Sequence, residues 1–266
     1  MRAIGFRRGL VAGLLGALMA LVASPGAMAD EPGEVRTVVD GGGQRQWVHC
    51  AGTGGPTIVL VSGLAADHTM WSRVFDRLAG VSRTCIVDRP GLGASPARVG
   101  SRTVDAGDQA RELRAALQAA GETGPFVLVA HSYGGLIGRA FRQQQPASVA
   151  GLLLLEAVWP GIDRDFLPSY ASPWHEAGTA LDITAGSRAA RGPLAPTPVL
   201  VIAAGKPGNG SAQADDAWTK RQRQIARTAH APLWIARGSG HVVQRDEPGI
   251  VVRGVQYLLE KTTRTS

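Results

Sequence analysis

The chain has 266 residues, 44% of them hydrophobic and 18% charged, with a formal net charge of +7. This composition supplies a sizeable core and excludes global disorder, and the length suits one large domain rather than two. The positive charge is scattered, with no basic block interleaved with aromatics, so a nucleic-acid partner is not expected.

Residues 1–29 read as an export signal. Arg2, Arg7 and Arg8 make a positive start, and Leu10 to Ala23 is an uncharged apolar run, short for a bilayer span. Ala27-Met28-Ala29 offers the small-x-small pattern of a cleavage site, which places the mature start at Asp30. An uncleaved anchor helix is the competing reading. Arg7-Arg8 matches a twin-arginine signal poorly. The expectation is a secreted or periplasmic protein with no stable membrane insertion after cleavage. In such a compartment the two cysteines, Cys50 and Cys85, suggest one disulfide, and two buried free thiols are the alternative.

The mature chain alternates short apolar runs with amphipathic ones. Residues 35–39 and 46–50 read as strands separated by the turn Gly41-Gly42-Gly43. Residues 57–61 are an apolar strand, and Trp71, Val74, Phe75 and Leu78 then mark one face of a helix. Residues 84–87 form the next strand, ended by Asp88-Arg89-Pro90-Gly91, and a helix covers 103–120. Residues 126–130 make a continuous apolar strand, as inside a covered parallel sheet, and a helix over 133–145 follows until Pro146 stops it. Strands at 152–155, 198–203 and 232–236 follow, and a last helix starts near Pro248. Alternating strands and helices predict an α/β fold, a mostly parallel central sheet with helices on both faces. Residues 160–196 are irregular and stand where a lid over the strand ends is expected.

The segment Ala130-His131-Ser132-Tyr133-Gly134 joins a buried strand directly to a helix. A serine on that sharp turn is pushed above the sheet edge, and the residues two before and two after must be small. The helix N-terminus favours negative charge developing nearby. A capping serine on an ordinary turn is the plainer reading of this segment alone.

Three further segments stand in order with it: Leu60 to Leu64, Asp88 to Gly93, and Gly238-Ser239-Gly240-His241. Together they make the chain resemble the α/β-hydrolase superfamily from about Gln46 to Leu259, with Ala130 where that family usually has glycine. The resemblance implies Ser132 as nucleophile and His241 as general base. It implies an oxyanion hole of the backbone N–H groups of Leu64 and Tyr133, and no cofactor. It also makes the strands holding Cys50 and Cys85 neighbours, within bridging reach.

The acid is less direct. The loop after the strand at 198–203 carries no carboxylate, and Asp215 and Asp216 come later, at an apparent helix start. Glu156 ends the preceding strand, a position that some branches of the family use, many haloalkane dehalogenases among them. A dehalogenase of that type needs an aspartate nucleophile, which Ser132 excludes. Glu156 is the expected acid, with Asp215 and Asp216 as alternatives and a structural ion pair as the plainer role. The other histidines lack metal-ligand spacing, so no metal site is expected. His131 reads as a packing residue and His68 as a possible cleft residue. Phe166, Leu167, Tyr170 and Trp174 are candidates to line a pocket for a small acyl substrate. The implied activity is hydrolysis of a carboxylic ester or related acyl bond through an acyl-enzyme. Acyl transfer, lactone or amide cleavage and perhydrolysis on the same residues are the alternatives, as is an inactive hydrolase-like binding protein.

Overall fold

The computed structural model describes residues 33–162 and 174–263. The expected export signal at residues 1–29, and the lid candidates Phe166, Leu167 and Tyr170, lie outside the described residues. Eight strands form one sheet: β1 (Val35–Asp40), β2 (Arg45–Ala51), β3 (Thr57–Val61), β4 (Thr84–Val87), β5 (Phe126–His131), β6 (Val149–Leu155), β9 (Val199–Ala204) and β10 (Leu233–Ala236). Their spatial order is β1-β2-β4-β3-β5-β6-β9-β10. The β1–β2 and β2–β4 pairings are antiparallel and the rest are parallel, as expected of the mostly parallel sheet. A separate hairpin pairs β7 (Trp174–Glu176) with β8 (Thr179–Leu181).

The continuous apolar strands are explained by burial on both faces. Val59, Val61, Leu128, Ala130, Leu152 and Leu154 face one core, and the alternate residues Ile58, Leu60, Val127, Val129, Leu153 and Leu155 face the other. The first core is covered by α2 (Ala106–Ala119), α3 (Gly134–Gln144), α4 (Ile183–Ala189) and α5 (Ala212–Thr228). The second is covered by α1 (Phe75–Ala79), α6 (Val243–Asp246) and α7 (Pro248–Thr263). Among the described residues no helix is long and apolar enough to cross a membrane.

Three segments depart from the sequence reading. The helix expected around Trp71 to Leu78 is a 3₁₀ turn over His68–Trp71 followed by the short α1. Residues three apart also eclipse in a 3₁₀ turn, so the apolar spacing does not separate the two. The helix expected from 103 begins at Ala106, because Asp105 caps it with a capping box to Asp108 and Val104 bridges to Leu181 instead. The irregular stretch 160–196 contains the β7–β8 hairpin and α4, and Ile183 and Leu194 bury into the first core.

Cys50 and Cys85 sit directly opposite each other on the antiparallel β2 and β4, with a Cα separation of 4.1 Å, and are joined by a disulfide. Glu122 is the carboxylate beside them, in the one group of potential metal ligands among the described residues. Sulfurs bonded to each other are not available as thiolate ligands.

Candidate active site

The carboxyl ends of the parallel strands β4, β3, β5, β6, β9 and β10 line one edge of the sheet, where open α/β sheets place their ligands. β5 ends at His131, and Ser132 turns sharply into α3 with φ +51°, a region costly for a non-glycine residue. The turn is held by Ser132 N–H to the Leu155 carbonyl and by Val158 and Gly135 N–H to the Ser132 carbonyl. Crowding around it is severe. A Cβ on Gly134 would stand 2.4 Å from the Val61 carbonyl oxygen. Ala130 is tolerated in place of the usual glycine because Gly138 faces it: a Cβ there would approach the Ala130 methyl to 2.9 Å.

β6 ends at Leu155, and the next residue, Glu156, is fully buried at φ +47°. Its Oε1 accepts from Ala204 N–H at 2.8 Å, and its Oε2 accepts from Trp218 Nε1–H at 2.9 Å. Oε2 also faces His241 Nδ1 at 3.1 Å. Across the ring, His241 Nε2 lies 2.9 Å from Ser132 Oγ. A carboxylate only accepts, so Nδ1–H donates to Glu156 and Nε2 is left to accept the Ser132 hydroxyl proton. Ser132, His241 and Glu156, separated by up to 109 residues, thus form one hydrogen-bonded line.

Neither alternative acid reaches this line. Asp215 Oδ1 accepts from Asn209 N–H at 2.7 Å and from its Nδ2, closing the loop before α5. Asp216 pairs with Lys220 Nζ at 2.7 Å on the exposed face of the same helix.

His131 packs beneath the site, as expected. Its Nε2–H donates to the His241 carbonyl at 2.9 Å, which fixes the backbone of the histidine loop. Burial, reinforced by the electrostatic influence of the His241 ring beside it, pushes its pKa down to about 3. It is therefore neutral in the working range. His68 turns to Asp88, with Nδ1 2.7 Å from Oδ2, and lies tilted against the Trp47 ring, with centroids 4.4 Å apart.

The loop after β3 runs beside the serine, and a Cβ on Gly63 would stand 3.2 Å from Ser132 Cβ. Leu64 and Tyr133 N–H donate to no other group among the described residues. Neighbouring groups of this loop are committed: the Ser62 and Gly63 carbonyls accept from Arg89, and Ala65 N–H donates to Glu176.

Trp218, Glu176 and Gln109 escaped the sequence reading, and Arg89 entered it only as part of the segment that ends β4. Trp218 carried a signal, since Trp218, Gln222 and Ile225 repeat at helical spacing and are all buried on α5. The pairing of Arg89 with Glu176 spans 87 residues and leaves no local pattern.

A parallel sheet sandwiched by helices, with a serine at the strand-to-helix turn after β5, defines an α/β hydrolase. Residues 56–183 match the family model described as alpha/beta hydrolase fold, and the chain has the α/β-hydrolase fold. The protein YqjL of Bacillus subtilis is 27% identical over 213 residues, covering 76% of this chain and 83% of that one. A pimeloyl-acyl-carrier-protein methyl ester esterase of Sodalis glossinidius is 30% identical over 128 residues. That match spans 45% of this chain and about half (47%) of the relative. A thermophilic esterase from Thermogutta terrifontis has the same fold, with a TM-score of 0.62 at 20% identity over 86% of this chain and 99% of that one.

Proposed function

We propose that this protein is a serine hydrolase that cleaves carboxylic esters or related acyl bonds through an acyl-enzyme. The observation that carries the reading is the line from Glu156 through His241 to Ser132 Oγ, at 3.1 and 2.9 Å. In this mechanism Ser132 Oγ attacks the carbonyl carbon while His241 Nε2 takes its proton. The tetrahedral oxyanion accepts from Leu64 and Tyr133 N–H, groups that have no other partner among the described residues. His241 then returns the proton to the leaving alcohol as the bond to it breaks, and Ser132 is left acylated. Water, deprotonated by His241, attacks the acyl carbon; the bond to Ser132 Oγ breaks, His241 returns the proton to Oγ, and the acid leaves. Glu156 keeps Nδ1 protonated and stabilises the imidazolium formed at each transfer.

The esterase names among the relatives support a carboxylic ester substrate. We also read residues 1–29 as an export signal, a reading that the Cys50–Cys85 disulfide favours. In our reading the stretch 160–196 is a lid over the site. Trp174 supports this, because it lies against the Tyr133 ring, with centroids 6.1 Å apart.

The test is a panel of nitrophenyl esters of graded chain length, assayed with the wild-type protein and the Ser132→Ala variant. Turnover of at least one ester, lost in the variant, is the expected result. An equally active Ser132→Ala would end the reading. Added alcohols or hydrogen peroxide in the same assay separate acyl transfer and perhydrolysis by their products.

A further inference from the structure

We propose that Glu176, acting through Arg89, is a positioning residue that sets the oxyanion-binding loop and ties it to the β7–β8 hairpin. The inference rests on the serine-hydrolase reading above. Arg89 follows β4 and is buried, and its guanidinium spreads over four acceptors. Nη1 donates to the Ser62 carbonyl at 2.9 Å and Nη2 to the Gly63 carbonyl at 2.6 Å. Nε and Nη2 donate to the two carboxylate oxygens of Glu176 at 2.7 and 2.6 Å. Glu176 Oε1 accepts in turn from Ala65 N–H at 2.9 Å. The carbonyls before Leu64 and the N–H after it are therefore fastened to one ion pair, while Leu64 N–H itself has no partner among the described residues.

The same network reaches the second donor. Gln109 Nε2 donates to Glu176 Oε2 at 3.2 Å, and Tyr133 O–H donates to Gln109 Oε1 at 2.8 Å. The residues carrying both oxyanion donors are thus registered against a single carboxylate. Burial opposes ionisation of Glu176, but the facing guanidinium and the Ala65 N–H outweigh it and hold the carboxyl below its usual range.

A plain structural ion pair is the competing explanation. Buried pairs are poor sources of net stability, because desolvation offsets their attraction. Two details favour positioning. The planar guanidinium fork fixes two successive carbonyls, which a point charge would not do. And Glu176 comes from the hairpin rather than from the main sheet, so displacement of the hairpin would slacken the hole.

The experiment compares wild type, Glu176→Gln and Glu176→Ala. Glu176→Gln keeps an acceptor for Ala65 N–H but loses the charge that aims Arg89. It is expected to lower kcat by roughly tenfold to a hundredfold, less than full loss of an oxyanion donor, with KM nearly unchanged. Glu176→Ala is expected to lose more. Inhibition by phenylboronic acid, whose tetrahedral adduct on Ser132 places an oxygen in the hole, should weaken in parallel with kcat/KM. Hydrogen exchange at the Ala65 amide, which donates to Glu176, reads the brace without turnover, and faster exchange in both variants is expected. If the Glu176 variants do not fold, Tyr133→Phe cuts only the outer link and is expected to cost about two- to fivefold in kcat, within the span of one modest hydrogen bond. Unchanged kcat, boronate affinity and exchange in folded variants would overturn the inference, as would a fall in thermal stability alone. A wild type that hydrolyses no ester, with exchange still raised in the variants, would remove the hydrolase reading and leave the brace standing.

Discussion

Trp218 holds Glu156 in place: its indole N–H donates at 2.9 Å to the same carboxylate oxygen that faces His241. Trp218 is itself buried on α5, so the acid is fixed from a helix as well as from its strand. Trp218→Phe keeps most of the packing and removes the donor. The expected result is a drop in kcat of about tenfold, together with a stability loss of about 1–3 kcal/mol from the under-satisfied buried oxygen. Steady-state kinetics and urea unfolding measure the two, and wild-type values for both would show that the indole does not orient the acid.

Glu156→Gln should be far more damaging. The amide presents either a donor or a weaker acceptor to His241 Nδ1, so the ring loses its tautomer and its partner for the imidazolium. We expect kcat to fall by roughly 10³–10⁴. Asp215→Asn and Asp216→Asn act on a loop closure and a surface pair, and each should cost less than about tenfold. Parallel kinetics of the three variants decides the matter, and a crippled aspartate variant beside an active Glu156→Gln would reassign the acid.

The acidic limb of stability should carry a signature of His131. Its pKa is depressed to about 3 by burial and by His241, so the folded state binds fewer protons there than the unfolded chain. The stability it protects is fully present above the unfolded histidine value of about 6.5 and drains away as pH falls from there toward the folded value. The slope is at most about 1.4 kcal/mol per pH unit from this one group. His131→Gln can keep a donor for the His241 carbonyl without titrating. Urea unfolding between pH 7 and 4 should therefore show a shallower loss in the variant, and identical slopes would contradict the assignment.

The framework was legible in the residues because its signals are local. Runs such as Val127 to Ala130 and Leu152 to Leu155 read as covered parallel strands, and both core faces use them. The sharp turn at Ser132 was marked by small residues that the crowding there requires. The network from Arg89 to Glu176 was not legible, since it joins a loop after β4 to a three-residue strand that has no room to show alternation. The hairpin turn at Ala177 and Gly178, both at positive φ, hid in a stretch read only as irregular. Trp218 was overlooked for a different reason: its helix was judged by the carboxylates at its start rather than by its buried stripe.

The Cys50–Cys85 bridge closes a loop of 35 residues. Restricting that loop in the unfolded chain is worth roughly 2–4 kcal/mol in the chain-entropy account. Cys50→Ala/Cys85→Ala should unfold at correspondingly lower urea with a similar slope, and the fold should persist on its double core. A stability equal to wild type would show that the bridge constrains nothing.

The central claim is that Ser132 is a nucleophile activated by His241, and covalent labelling tests it without any knowledge of the substrate. Wild-type protein is treated with a fluorophosphonate probe, digested, and the modified peptide identified by mass spectrometry, with Ser132→Ala and His241→Ala alongside. The account predicts a single phosphonylated site at Ser132, no labelling in Ser132→Ala, and strongly slowed labelling in His241→Ala. Absence of labelling in the folded wild type, or modification at another residue that survives Ser132→Ala, would contradict it.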